Sequence, residues 1–226
     1  MKTRIWTLTT LALGLVTLAV SIAFSMMPAV SAFYAPGDIS AAVGEFQRAS
    51  AMADLVSVFG DPPDPAAVEA MDAINTLDLY AFIPAYAAFL IAGAAMLAGG
   101  LRNPVAWFAI DFAVLGAAAD AVETLMQLRV TADWENAAAH LPIAPWHWTK
   151  YGLLALNGGA VALICFLTPR KRWVLGLIAL APLPLVLAAW AGWADPRYFS
   201  GAFRLYWLAL LAVAFMETVR ARGARA

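Results

Sequence analysis

Apolar residues along the 226-residue chain gather into blocks about twenty residues long, separated by short polar or proline-bearing connections. At about 1.5 Å per residue, a block of that length crosses the ~30 Å hydrocarbon core of a bilayer. Six such blocks predict an all-α integral membrane protein, a bundle of about six transmembrane helices in a single membrane domain. The expected spans lie at about 5–32, 77–99, 105–128, 146–167, 173–193 and 203–219. The first follows a short basic segment, Lys2 and Arg4, and ends on Ala29-Val30-Ser31-Ala32, which has the form of a signal-peptidase site. Its apolar run exceeds the usual signal core, so the expectation is a retained helix, with cleavage to five spans as the alternative.

The one long polar segment, residues 34–75, reads as an extracytoplasmic loop. Val43, Phe46, Ser50, Ala53 and Val56 recur at helical spacing and predict an amphipathic helix lying along the membrane surface. Asp61-Pro62-Pro63-Asp64-Pro65 then stops that helix. Asp64 followed by Pro65 is an N-cap and first-turn pair for a second helix that runs on into the membrane. Pro84 inside the second span and Pro182 and Pro184 inside the fifth predict kinks, and Pro84 is close enough to Asp78 to open a cavity there. Trp146, Trp148, Trp190, Trp193, Tyr206 and Trp207 read as interfacial belt residues. Gly93, Gly99, Gly158 and Gly159 read as points of close helix packing.

Composition sharpens the class. Hydrophobic residues make up 63% of the chain and charged residues 13%, against about a quarter charged in a soluble domain. The net charge of −1 hides a strong sorting of charge along the chain. Lys2, Arg4, Arg102, Arg170, Lys171, Arg172, Arg220, Arg222 and Arg225, nine of the fourteen basic residues, fall on one side of a six-span arrangement. Residues 34–75 carry Asp38, Glu45, Asp54, Asp61, Asp64, Glu69 and Asp72 against Arg48 alone. The positive-inside rule therefore predicts cytoplasmic N- and C-termini in a bacterial-type cytoplasmic (inner) membrane.

Ionisable groups inside spans usually face a protein interior or a water-filled cavity. Here they are Asp78, Asp111, Asp120, Glu123, Lys150 and Arg204, with His147, Gln127 and Asn157 as polar neighbours. At about 100° per residue, Gly116, Asp120, Glu123 and Gln127 share one face of the third span. His147, Lys150 and Asn157 share a face of the fourth, and Asn75, Asp78 and Ala85 one of the second. Topology brings Asp78, Asp120, Glu123, His147, Lys150 and Arg204 to one depth, so they are expected to converge. Three carboxylates then face two cations, and the surplus is met by a proton, a charged His147 or a bound cation. Asp111 lies on the opposite face, with Asn157 or the sixth span as its expected partner.

Three functions are compatible with this pattern. One is binding or transport of a small cation, a proton or an amine-bearing molecule through an outward-facing acidic pocket. A second is a membrane enzyme acting on a lipid or isoprenoid at the outer leaflet, with Asp120 or Glu123 as acid–base and His147 assisting. A third is a structural or assembly protein whose buried charges set helix register. The expected partners are the lipid bilayer and a small cation, proton or lipid ligand, with a homo-oligomer open. No basic, aromatic-interleaved stripe points to nucleic acid. No cofactor motif or metal-ligand spacing is found, and the lone Cys165 reads as a small apolar residue.

Overall fold

The structure, a computed structural model, describes residues 2–35, 38–168 and 172–223. Arg170, Lys171 and Arg225, on which the predicted orientation partly rests, lie outside the described residues. The described chain is all α. In order it forms α1 (Lys2–Phe24), α2 (Pro28–Phe33), α3 (Asp38–Gln47), α4 (Met52–Phe59) and α5 (Pro65–Leu77). A π-helical turn (Asp78–Phe82), α6 (Ile83–Leu97), α7 (Pro104–Ala132) and a 3-10 turn (Trp134–His140) follow. The chain ends with α8 (Ala144–Leu167), α9 (Trp173–Leu180), α10 (Pro182–Trp190) and α11 (Pro196–Gly223).

Six stretches are long and apolar enough to cross a membrane: Arg4–Phe33, Pro65–Leu97, Pro104–Ala132, Ala144–Leu167, Trp173–Trp190 and Pro196–Ala221. The protein is therefore a multi-pass, all-α membrane protein. The second and last stretches begin well before the expected 77 and 203, because polar residues such as Asp72 and Arg197 continue the helices past the apolar core. The first is interrupted at Ser25–Met27, ahead of Pro28, and the fifth at Ala181, ahead of Pro182. In both places a proline that cannot donate to the preceding turn marks the break.

The chain divides into two compact units. One comprises Leu18–Pro84 and Ala117–Lys150, and is called the acidic unit below. The other comprises Met1–Thr17, Ala85–Gly116 and Tyr151–Ala226, and is called the basic unit. Twelve of the fifteen carboxylates belong to the acidic unit, whose only basic residues are Arg48, Arg129 and Lys150; the basic unit holds the other eleven.

The acidic unit has its own apolar core. Val30 of α2, Phe46 of α3, Leu55 and Phe59 of α4, Met71 and Ile74 of α5, Val130 of α7 and Ile143 are all buried together. Phe46 and Phe59 meet edge to face at 4.8 Å, and Trp134 extends the row from Phe59 at 5.7 Å. The expected surface helix is thus two helices around a core. The chain breaks at residues 48–51, where the Asp54 carboxylate accepts the backbone N–H groups of Ser50 and Ala51 at 2.7 and 3.0 Å. That break resets the helical phase. Leu55 and Phe59 become the buried positions of α4, while Ser50, Ala53 and Val56 are exposed. Asp64 caps α5 as the sequence predicts, accepting from the N–H of Ala66 at 2.8 Å, with Pro65 in the first turn.

In the basic unit α9 and α10 pack on α11. Close approach is real at two of the four glycines: a Cβ on Gly93 would stand 2.7 Å from Leu210, and one on Gly158 would strike the carbonyl of Ala179. Gly159 faces open space, and Gly99 instead adopts a left-handed φ of +73° just past the end of α6. Tyr206, expected at an interface, is fully buried. Trp190 and Trp193 are exposed.

Candidate functional site

The acidic unit brings together most of the intramembrane charge. Lys150 of α8 places its Nζ 2.9 Å from Asp120 Oδ1 and 2.7 Å from Glu123 Oε2, both on α7. The other Glu123 oxygen lies 3.5 Å from Nδ1 of His147, one turn before Lys150. All four side chains are sealed: Asp120 is 5% exposed, Glu123 1%, His147 1% and Lys150 3%. Two features fix the N-terminal turn of α8 for this purpose. The N–H of Ile143 donates to the carbonyl of Ala49 at 2.9 Å, tying the start of α8 to the link between α3 and α4. His147 also stands edge-on to Trp148 at 5.0 Å.

Asp78 joins through Thr124, which shares the Asp120 face of α7. Its Oδ2 accepts the hydroxyl of Thr124 at 3.0 Å. Unlike Asp120 and Glu123, it is only half-buried and forms no ion pair among the described residues. Asp78 opens the π-helical turn, in which Ile83 N–H donates to the Asp78 carbonyl five residues back. Pro84 follows that turn and has no N–H to give to Tyr80, and the backbone widens here into the π-helical turn.

A second polar rung lies farther toward the start of α5: Thr131 of α7 donates to Asp72 Oδ1 at 2.6 Å. The pairs 72 with 131 and 78 with 124 run in opposite directions along their helices, so α5 and the end of α7 are antiparallel and in register. That register sets Asn75 against Gln127 between the two rungs. Both are buried, at 5% and 2% exposure, and the Nδ2 of Asn75 has no hydrogen-bond partner. Asp72, Thr131, Asn75, Gln127, Thr124 and Asp78 form a file of polar side chains between two apolar helices. Over the six residues from Asp72 to Asp78 it extends roughly 9 Å.

The Asp72 end of this file meets a groove. It has a volume of about 960 Å³ and is lined by α5, by Met27 and by Thr131, with Asp72 on its wall. The opening expected beside Asp120 and Glu123 is therefore displaced: those groups are closed in, and Asp72 with Thr131 is the exposed end.

One expected member, Arg204, does not join, and the expected pairing of Asp111 with Asn157 does not form. Arg204 belongs to the basic unit and is exposed. The buried face of α11 is set by Phe199, Phe203, Tyr206, Leu210, Ala214 and Thr218, and position 204 falls off it. Asp111 is also exposed and does not meet Asn157. Asn157 instead donates to the carbonyl of Ala109 at 2.8 Å and accepts the hydroxyl of Tyr206 at 3.1 Å. It shares a helical face with Lys150, but two turns farther along α8, which removes it from the charged cluster. Sequence reading passed over Asp72, Thr124 and Thr131. The signal for them was present in the i, i+3, i+6 series 72-75-78 and the i, i+3, i+7 series 124-127-131.

Among the described residues no group of three or more His, Cys, Asp or Glu side chains is arranged to hold a metal ion. Comparison with protein-family models, with curated proteins and with solved structures gave no match.

Proposed function

We propose that the acidic unit takes up a proton, or a small cation in its place, at Asp78, and that the polar file is its route from the groove. The observation that carries this reading is the pair of cross-helix hydrogen bonds, Asp72 with Thr131 and Asp78 with Thr124, bracketing buried Asn75 and Gln127. Every member can accept a hydrogen bond, and each hydroxyl and amide can also donate, as a relay requires. Intramembrane carboxylates of this kind mark proton and ion pathways in pumps and transporters. With Arg204 elsewhere, Asp78, Asp120 and Glu123 share one ammonium, and the surplus negative charge is what draws a proton or cation inward.

In this reading the protein is a six-helix bundle in a bacterial-type cytoplasmic membrane with both termini inside. The sorted Lys and Arg residues support that orientation. The groove and the α3–α4 core then face outward.

The sealed end of the cluster favours a second role beside the first. Lys150 meets two carboxylates at 2.7–2.9 Å where exposure is a few per cent. Contacts so short and so dry read as a structural tie between α7 and α8. Asp78 is the exchangeable group, and Lys150 is the fixed counter-charge behind it.

The test is proton flux into proteoliposomes loaded with a pH-sensitive dye, under an imposed pH gradient with and without sodium or potassium. The wild-type protein is expected to pass protons, and Asp78→Asn to reduce the rate at least tenfold while leaving the fold intact. Equal rates for wild type, Asp78→Asn and empty vesicles would remove the proposal.

A further inference from the structure

The groove on α5 is built differently from the polar file that opens into it. Its walls are mainly apolar, with Met27, Val68, Leu77 and the ring of Tyr80, and its polar edge is Glu69 and Asp72. Asp72 uses one oxygen to accept from Thr131; among the described residues no donor is bonded to the other. Tyr80, in the π-helical turn, is 77% exposed.

Helix length says where this groove sits. The stretch Pro65–Leu97 has 33 residues, roughly 50 Å against the ~30 Å of a hydrocarbon core, so its first turns project beyond the core. The groove lines this same stretch from Pro65 to Ala81. The Pro65 end, with Glu69 and Asp72, therefore lies at headgroup level, and the Ala81 end, with the exposed ring of Tyr80, borders the hydrocarbon. A cleft open along such a boundary admits a lipid sideways from the bilayer.

Charge selects among lipids. The acidic unit carries twelve carboxylates against three basic residues, and the groove's own edge is acidic. An anionic headgroup is repelled there, and a headgroup with a primary ammonium is attracted. We propose that the groove holds an acyl chain of a zwitterionic, amine-headgroup phospholipid from the surrounding bilayer, with its ammonium against Glu69 and Asp72. The lipid covers the mouth of the polar file, and its binding depends on the groove alone, not on proton uptake at Asp78.

The test is native mass spectrometry of the full chain in detergent, titrated with dioleoyl phosphatidylethanolamine or dioleoyl phosphatidylcholine. The wild-type protein is expected to retain one phosphatidylethanolamine and to prefer it several-fold over phosphatidylcholine. Ala73→Trp fills the groove, and both lipids are lost. Glu69→Gln, at an exposed position that leaves the fold alone, retains a lipid but loses the preference. Asp78→Asn keeps both the lipid and the preference, which separates this site from the proton site. The proposal is overturned if Ala73→Trp retains lipid as the wild type does, or if Glu69→Gln keeps the preference. It is equally overturned if free ethanolamine displaces the lipid at matched concentration, since the groove then recognises a soluble amine.

Discussion

The two units bury polar side chains in different ways. In the basic unit Asn157 donates to the Ala109 carbonyl and accepts from Tyr206, at 2.8 and 3.1 Å. The groups are neutral, and the arrangement costs no ionic desolvation. In the acidic unit one ammonium meets two carboxylates, a third, Asp78, accepts only from Thr124 among the described residues, and Asn75 keeps an unpartnered Nδ2 in the seam beside it. A neutral, complete pair locks helices together and has little else to offer. A charged, incomplete set is costly in a membrane protein, and that imbalance is what the proposed exchange at Asp78 would relieve. The proposed exchange chemistry therefore belongs to the acidic unit.

The comparison breaks most visibly at Lys150. Lys150→Met leaves Asp120 and Glu123 buried without a counter-charge, a loss of about 3–5 kcal/mol. The expected result is a large fall in melting temperature or a failure to accumulate in the membrane. Lys150→Met combined with Asp120→Asn and Glu123→Gln is expected to recover most of the loss, since the charges are removed together. If the triple variant is as unstable as the single one, the tie between α7 and α8 does not rest on charge.

The corresponding change in the basic unit is smaller. Asn157→Leu strands the Tyr206 hydroxyl, which is fully buried, at about 1–3 kcal/mol. Proton flux is expected to stay unchanged in that variant. A loss of flux without a loss of stability would move the exchange chemistry out of the acidic unit.

How much of this was legible in the sequence depends on what each inference needed. Span number follows from length and composition, so it carries through to the structure as six long apolar helices. The shared face of Asp120, Glu123 and Gln127 follows from helical period alone, and these three residues are buried together. Arg204 needed the phase of α11 against its neighbours, and a helix apolar on nearly every face does not announce which face is inside. The break at residues 48–51 rests on one carboxylate capping two N–H groups, a detail that the apolar spacing of Val43, Phe46 and Val56 overrode. The polar file needed the register between α5 and α7, which no single-helix pattern contains. The widened turn at Asp78 was half legible, since Pro84 marked the place but not the form.

The smallest expected effect concerns that cap. Hydrogen bonds from Ser50 and Ala51 hold the Asp54 carboxyl below its ordinary value. A depressed folded-state value gives stability that is present above the unfolded carboxyl's pKa of about 3.9 and lost as pH falls through the folded one. Asp54→Ala is expected to cost about 0.5–2 kcal/mol at neutral pH, and the gap from wild type should close as the solution is acidified. Thermal melts over that range check it; a gap that stays constant means the cap acts through packing, not through charge.

The central claim is that Asp78 exchanges its proton while Lys150 keeps its carboxylates paired. The most direct measurement is an infrared titration of the protein labelled with 13C in its aspartate carboxyls, compared with the Asp78→Asn variant. The account predicts one aspartate that changes protonation reversibly with bath pH in the folded protein and disappears from the difference spectrum in Asp78→Asn. If the two spectra titrate alike, or if no intramembrane aspartate responds until the protein unfolds, then the polar file ends in a structural hydrogen bond and the account is wrong.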